Sequence, residues 1–183
     1  MRSMLVGMLV VVGLIPAVAG AQSPPPAKPA VDINKAMLEA AEKIGRAALK
    51  PGVSVSDRNI SVNDMGAYNV SVAFVTRPAT KVPSGATLAH DKITEIYYML
   101  RGNGTSVTGT MVNGTHAGTG STTIGPGWRS SSPIPNGKSV TLHPGEMQII
   151  PPGLSHVWSE ISDGGIDYLV LRIDPDHLLA VSK

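Results

Sequence analysis

The sequence predicts an all-β fold, a small antiparallel double-sheet barrel, with an α-helix on its N-terminal side and a short helix at its C-terminus. Three observations predict it. After Val53 the chain breaks into short runs rich in β-branched and aromatic residues. Gly, Pro, Asn and Ser separate those runs at the spacing of strand connections in sandwiches and barrels. Before Val53, one segment carries apolar residues at the period of a helix.

Taken in order, residues 1–21 have the pattern of a secretory signal peptide. Arg2 supplies the positive start, Leu5 to Val18 the apolar run, and Ala19-Gly20-Ala21 a small-residue cleavage site. Gly7, Gly13 and Pro16 interrupt the run, which falls short of the roughly 20 apolar residues of a membrane span. Export to the periplasm or the extracellular space is therefore expected, without stable membrane insertion after cleavage. Residues 22–30, with Pro24, Pro25, Pro26 and Pro29, form a proline-rich linker.

Residues 31–52 are the helical segment. Met37, Ala41, Ile44 and Ala48 recur on one face, Asp32 is the expected N-cap, and Pro51-Gly52 stops the helix. Residues 53–183 form the β-domain. Strand-like runs include Tyr68–Val75, Glu95–Leu100, Thr105–Met111, Ser139–Leu142, Glu146–Ile150 and Tyr168–Ile173. Between Met111 and Gly137 lies a Gly/Ser/Thr/Pro-rich stretch, long enough to be functional or disordered. Asp174-Pro175 has the form of an N-cap followed by proline at the first helical position, so Asp176 to Val181 is expected to be a short helix.

Composition narrows the chemistry. The 183 residues include no cysteine, which excludes thiolate metal sites, cysteine nucleophiles and disulfides. The formal charge is only +2, with no basic stripe interleaved with aromatics, so a nucleic-acid partner is not expected. Gly102-Asn103-Gly104 is a turn signal with no helix after it, and a nucleotide-binding reading fails.

Two histidine-bearing motifs carry the site. The first runs from Gly85 through His90 and Glu95 to Gly102; the second runs from Gly145 through Pro151-Pro152-Gly153 to His156. In spacing and order they resemble the paired motifs of the cupin superfamily. His90, four residues, Glu95, six residues and Gly102 match the end of the first motif. Gly145, Pro151, Gly153 and His156 match the second. The resemblance covers roughly residues 68 to 174 and implies a double-stranded β-helix, or jelly-roll barrel, as the fold. There are two departures: Leu88 stands where the first motif usually has another histidine, and Glu160 where the second often has asparagine.

What the resemblance implies for chemistry is one divalent metal ion held by His90, Glu95 and His156. Two imidazoles and one carboxylate can form a facial triad with open positions, and they suit Fe, Mn, Ni, Zn or Cu alike. The implied function is a metal-dependent enzyme acting on a small organic molecule. Oxygenation leads, with isomerisation or lyase chemistry next. A non-catalytic small-ligand-binding module and a metal-free structural barrel are the alternatives, the second because of Leu88. A homodimer is the expectation that the resemblance brings.

Strand alternation adds secondary residues. Glu95, Tyr97 and Met99 share a face, and Tyr97 is a candidate proton donor or acceptor. His156 and Trp158 point the same way, which makes Trp158 a candidate substrate contact. Tyr168, Val170 and Arg172 share a face, and Arg172 is either a partner for a substrate carboxylate or a rim arginine in an ion pair. His116, in a Gly-rich segment, is either a lid residue with a catalytic or ligand role or a solvent-exposed loop residue. Trp128 either covers the barrel mouth or anchors its loop.

Overall fold

The computed structural model describes residues 27–118 and 122–182. The signal peptide expected at residues 1–21 and the first five linker residues lie outside the described residues. No helix among the described residues is long and apolar enough to cross a membrane.

The helix α1 spans Lys35–Ala48, shorter at both ends than the predicted segment. Its N-cap is Asn34 rather than Asp32: the Asn34 side chain accepts a hydrogen bond from the Met37 backbone at 3.1 Å, satisfying one of the helix's orphan N–H groups. The buried face is also displaced from the expected one. Gly45 is the buried residue of α1, whereas Ile44 is 47% exposed. The cause is close approach. A Cβ at Gly45 would lie 3.1 Å from Thr76 Cγ2, so the absent side chain lets α1 settle onto the sheet there.

Among the described residues eleven strands follow, all paired antiparallel: β1 Ser56–Asp64, β2 Asn69–Arg77, β3 Thr87–His90, β4 Thr94–Arg101, β5 Gly104–Gly109, β6 Thr115–His116, β7 Gly127–Ser130, β8 Lys138–Leu142, β9 Met147–Ile150, β10 Ser155–Ile161 and β11 Ile166–Asp174. They form a five-stranded sheet ordered β1-β2-β11-β4-β9 and a six-stranded sheet ordered β6-β7-β3-β10-β5-β8. Side chains from both sheets meet in one core that includes Ala73, Val75, Met99, Trp158, Tyr168 and Val170. This is the double-sheet β-barrel with an external N-terminal helix that the sequence predicts.

β2 shows how the layers are built. Ala73 and Val75 face the barrel core, and the alternate residues Phe74 and Thr76 are buried beneath α1. The helix is fastened by charge as well. Arg46 of α1 and Arg101 of β4 both donate to Asp167 Oδ2, the second at 2.7 Å.

Two segments differ from expectation. The stretch between Met111 and Gly137 is not one long loop, because β6 and β7 within it extend the six-stranded sheet beyond β3. The short C-terminal helix is absent: Pro175-Asp176 form a turn and residues 177–182 are irregular. Asp174 does act as a cap, but for a turned chain. Its Oδ2 accepts from Leu179 N at 2.8 Å, and His177 takes a left-handed φ of 54°, which ends any helical path. Leu179 is thereby buried beside Val62 and Ile93.

One turn fixes the relation between the motif strands. Gly102, between β4 and β5, has φ 71°, and a Cβ there would lie 2.1 Å from the Gly165 carbonyl oxygen. Only glycine fits that packing of two hairpin turns.

Candidate metal centre

Three strands deliver the three motif side chains. His90 ends β3, Glu95 lies on β4, and His156 is the second residue of β10. β3 and β10 are neighbours in the six-stranded sheet, and β4 belongs to the opposite sheet, so the trio spans the barrel interior. Motif two also braces motif one directly: Gly153 N donates to the His90 carbonyl at 2.7 Å.

The three groups converge. One ligand atom from each lies within 4.8 Å of the others. His90 Nε2 is 3.4 Å from Glu95 Oε1, and His156 Nε2 is 3.4 Å from Glu95 Oε2. His90 and His156 are each 5% exposed and Glu95 2%. Neither Nε2 has a hydrogen-bond partner, although both are buried. Orphaned polar atoms in a protein interior are costly. Two ligands about 2.1 Å from one ion at near-tetrahedral angles are themselves roughly 3.4 Å apart, so the observed spacing and the unpartnered nitrogens fit a cation between them. His156 Nδ1 lies 3.1 Å from the Leu154 carbonyl. As donor in that bond, Nδ1 holds the proton and leaves the Nε2 lone pair for a ligand.

Glu95 is held from two further sides. Arg172 Nε donates to Oε1 at 2.9 Å, and the Tyr97 hydroxyl donates to Oε2 at 2.9 Å. Burial alone would raise the Glu95 pKa, but the Arg172 charge, followed by His90, holds it well below the usual carboxylate range. It is an anion in this site. Burial and then the Glu95 charge push the Tyr97 hydroxyl well above its ordinary value, so Tyr97 stays protonated and acts as a donor.

The remaining sequence candidates fall in distinct places. Arg172 lies on the cavity wall as the alternation predicts, but its donors are used within the protein. Besides Glu95 it binds Asp57 through both terminal nitrogens, at 3.2 and 2.5 Å, and Asn59 Oδ1 at 3.2 Å. At 1% exposure it is neither a rim arginine nor free for a substrate carboxylate. Trp158 points inward with His156, but it is buried in the core. It stacks on Tyr97 at 5.9 Å and donates from Nε1 to the Tyr168 hydroxyl at 3.2 Å. That makes it a support for Tyr97 rather than a wall of the main cavity.

His116 is exposed on β6. It pairs with Asp91 Oδ2 at 2.7 Å and sits edge-on to Trp128, 5.1 Å away, outside the clustered trio. Trp128 lines a groove with Ala89 and Met111. Its strand neighbour Arg129 lines the cavity beside His90 and Glu95, so Trp128 faces away from that cavity.

A cavity of about 300 Å³ opens beside the trio, and His90, Glu95, Tyr97, Leu88, Arg77 and Arg129 are among its walls. The sequence motifs did not point to Asp57, Arg77 or Arg129. The two-residue alternation of β2 carried a usable signal for Arg77, which shares a face with Ala73 and Val75.

No family model matches the sequence, and no curated protein matches it. Among solved structures, the chain is similar to KdgF from Halomonas sp., at 12% identity over 69% of this chain and 83% of that one, with a TM-score of 0.43. It is also similar to a Cupin 2 conserved barrel domain protein from Salinispora arenicola, at 16% identity over 73% and 87% of the two chains, with a TM-score of 0.42. A protein of unknown function from Rhizobium leguminosarum gives 13% identity over 77% and 97%, with a TM-score of 0.44.

Proposed function

We propose that this chain is a cupin-type metal-binding barrel that catalyses a metal-dependent reaction on a small organic molecule. The observation that carries this reading is the pair of buried, unpartnered imidazole nitrogens on either side of one ionised carboxylate. His90, Glu95 and His156 would hold the ion. Bound there, a divalent metal would supply a Lewis acid with open positions for oxygen or for a substrate oxygen atom. Two histidines with one carboxylate is the donor set of non-haem iron oxygenases, so oxygenation is the first reaction class to test, with isomerisation and elimination next.

The chain's own residues have separable parts in this reading. Arg172 and Tyr97 fix the orientation of Glu95. Leu154 sets the His156 tautomer. The Tyr97 hydroxyl, on the cavity wall, offers a proton-bearing donor next to the ion. A cavity of about 300 Å³ sits at the small end of ligand pockets, which matches a small-molecule substrate.

A second reading is a barrel without metal. It is favoured by Arg172, which already neutralises Glu95, and by Leu88, which cannot bind an ion. Metal content of the purified protein, compared with His156→Ala, separates the two. Near-stoichiometric metal lost on substitution supports the metal centre. Absence of metal after reconstitution, or metal that survives the substitution, contradicts it. Oxygen consumption with a panel of small acids and phenols then tests for oxygenation, and bound metal without turnover favours a binding module.

The same proposal includes export, resting on the pattern of residues 1–21, and a homodimer. Support for the dimer is an uncovered apolar sheet face. α1 covers the β1–β2 end of the five-stranded sheet, while Tyr98, Leu100, Met147 and Ile149 remain exposed at the β4–β9 end, Ile149 at 67%. Apolar patches of this kind mark association surfaces. Sedimentation measurements on the wild type and on Ile149→Glu check it, and a monomeric wild type would refute it.

A further inference from the structure

The cavity at the metal centre is lined by three guanidinium groups, Arg77, Arg129 and Arg172, and by two carboxylates, Asp57 and Glu95. Arg172 binds both carboxylates. Arg77 and Arg129 are left over: among the described residues, neither lies within ion-pairing distance of a carboxylate. Arg77 is half-buried, and its Nε and one terminal nitrogen donate to neutral groups only, the Tyr168 hydroxyl at 3.0 Å and Ser84 at 2.9 and 3.1 Å. Among the described residues, its other terminal nitrogen has no hydrogen-bond partner. Among the described residues, the Arg129 guanidinium has no hydrogen-bond partner, although its backbone is paired in the sheet. A half-buried guanidinium such as that of Arg77, held in a cavity wall without a counter-charge, is stabilised when an anion joins it, and Arg129 presents a second, exposed guanidinium to the same cavity.

Strand register shows where that anion would sit. His156, Leu88 and Arg129 form one cross-strand row over β10, β3 and β7. Strands are about 4.8 Å apart, so the Arg129 backbone lies roughly 10 Å from that of His156. Leu88 lies between them as an apolar floor. A ligand of on the order of ten non-hydrogen atoms fills that volume, with one end at the trio and the other at the arginines. Guanidinium forks match carboxylate and phosphate oxygens two at a time.

We infer that Arg77 and Arg129 form an oxyanion subsite and that the ligand of this cavity is a small organic anion carrying a terminal carboxylate or phosphate. This rests on the reading of the same cavity as a metal-dependent centre and deepens it. The role expected of Arg172 belongs to these two residues instead.

The test is calorimetric titration of the full protein, both metal-loaded and chelator-treated, with glutarate, glycerol phosphate and the uncharged glutaramide. Metal content is measured in parallel. One of the two anions binds, glutaramide does not, and whichever anion binds names the head group. Arg129→Gln, an exposed position that leaves the fold intact, weakens binding roughly ten- to a hundredfold with metal content unchanged. Arg77→Lys keeps the charge, loses the fork, and weakens it less. Equal binding of glutaramide, unaltered affinity in both variants, or no binding of either anion to the folded protein overturns the subsite. Metal retained without anion binding sinks the subsite and spares the metal centre. Arginine-dependent anion binding without metal does the reverse.

Discussion

Arg172 on β11 and Glu95 on β4 are register partners across adjacent strands, and the guanidinium Nε donates to Glu95 Oε1 at 2.9 Å. The pair is almost wholly buried and spans 77 residues of sequence. It makes the carboxylate of the candidate metal centre part of the barrel's framework.

Replacing Arg172 with Met is therefore expected to destabilise the protein by about 3–5 kcal/mol, because Glu95 and Asp57 lose their counter-charge. The pH dependence has a definite sign in the metal-free protein. Glu95 has a depressed folded-state pKa, so its contribution is present above the unfolded value of roughly 4.3 and is lost as pH falls through the lower folded value. In Arg172→Met, burial is left to dominate and the sign reverses, so acidification narrows the gap between variant and wild type. Urea midpoints from neutral to acid pH measure this; a constant gap would contradict it.

Tyr97→Phe removes the second support of Glu95 and leaves the ring stack on Trp158 in place. Metal affinity is expected to fall roughly tenfold, the lower end of what a lost outer partner costs, with stability reduced by about 1 kcal/mol. Competition with a chromogenic chelator reads the first and denaturant midpoints the second. Unchanged affinity would mean that Arg172 alone orients the carboxylate.

What the sequence made legible was local. The alternation that puts Glu95 with Tyr97 and Met99, and Tyr168 with Val170 and Arg172, depends only on the two-residue period of a strand, and burial follows it. The convergence of His90, Glu95 and His156 was legible because each motif joins its histidine to a turn glycine and a strand. The Arg172–Asp57 contact was not, since it spans 115 residues and depends on how β1 pairs with β2. β1 itself, Ser56–Asp64, is mostly polar and offers no apolar run to detect. The absent C-terminal helix has the same kind of cause. Asp174 and Pro175 form a helix-start pattern locally, while the burial of Leu179 beside Val62 decides the path of the chain.

Gly45→Leu tests the seat of α1. A side chain there meets Thr76 and Ser56 at once, with Cβ already 3.1 and 3.7 Å from their atoms. Overpacking of this kind costs about 1–3 kcal/mol, and helical circular dichroism should fall with it. Metal content should not change, because β3, β4 and β10, which carry the trio, are not the strands beneath the helix. Loss of metal in this variant would show that α1 and the centre are coupled.

Leu88 offers the sharpest test of where the ion sits. It is the register partner of His156, so the two side chains leave the sheet on the same side, and it lines the cavity beside His90. Histidine is close to leucine in volume, and Leu88→His places a third imidazole next to the two already present. If the ion lies between His90, His156 and Glu95, the new ring adds a fourth ligand and metal affinity rises by about tenfold or more, since one metal–imidazole bond exceeds the cost of one ordered side chain. It also occupies a coordination position and cavity space, so turnover of a small substrate falls while metal binding tightens. Chelator competition and activity, measured on the same preparation, separate these effects. Unchanged affinity in a folded Leu88→His protein would place any bound ion away from the β3–β10 row, and the trio would then be an ion-pair cluster rather than a metal centre.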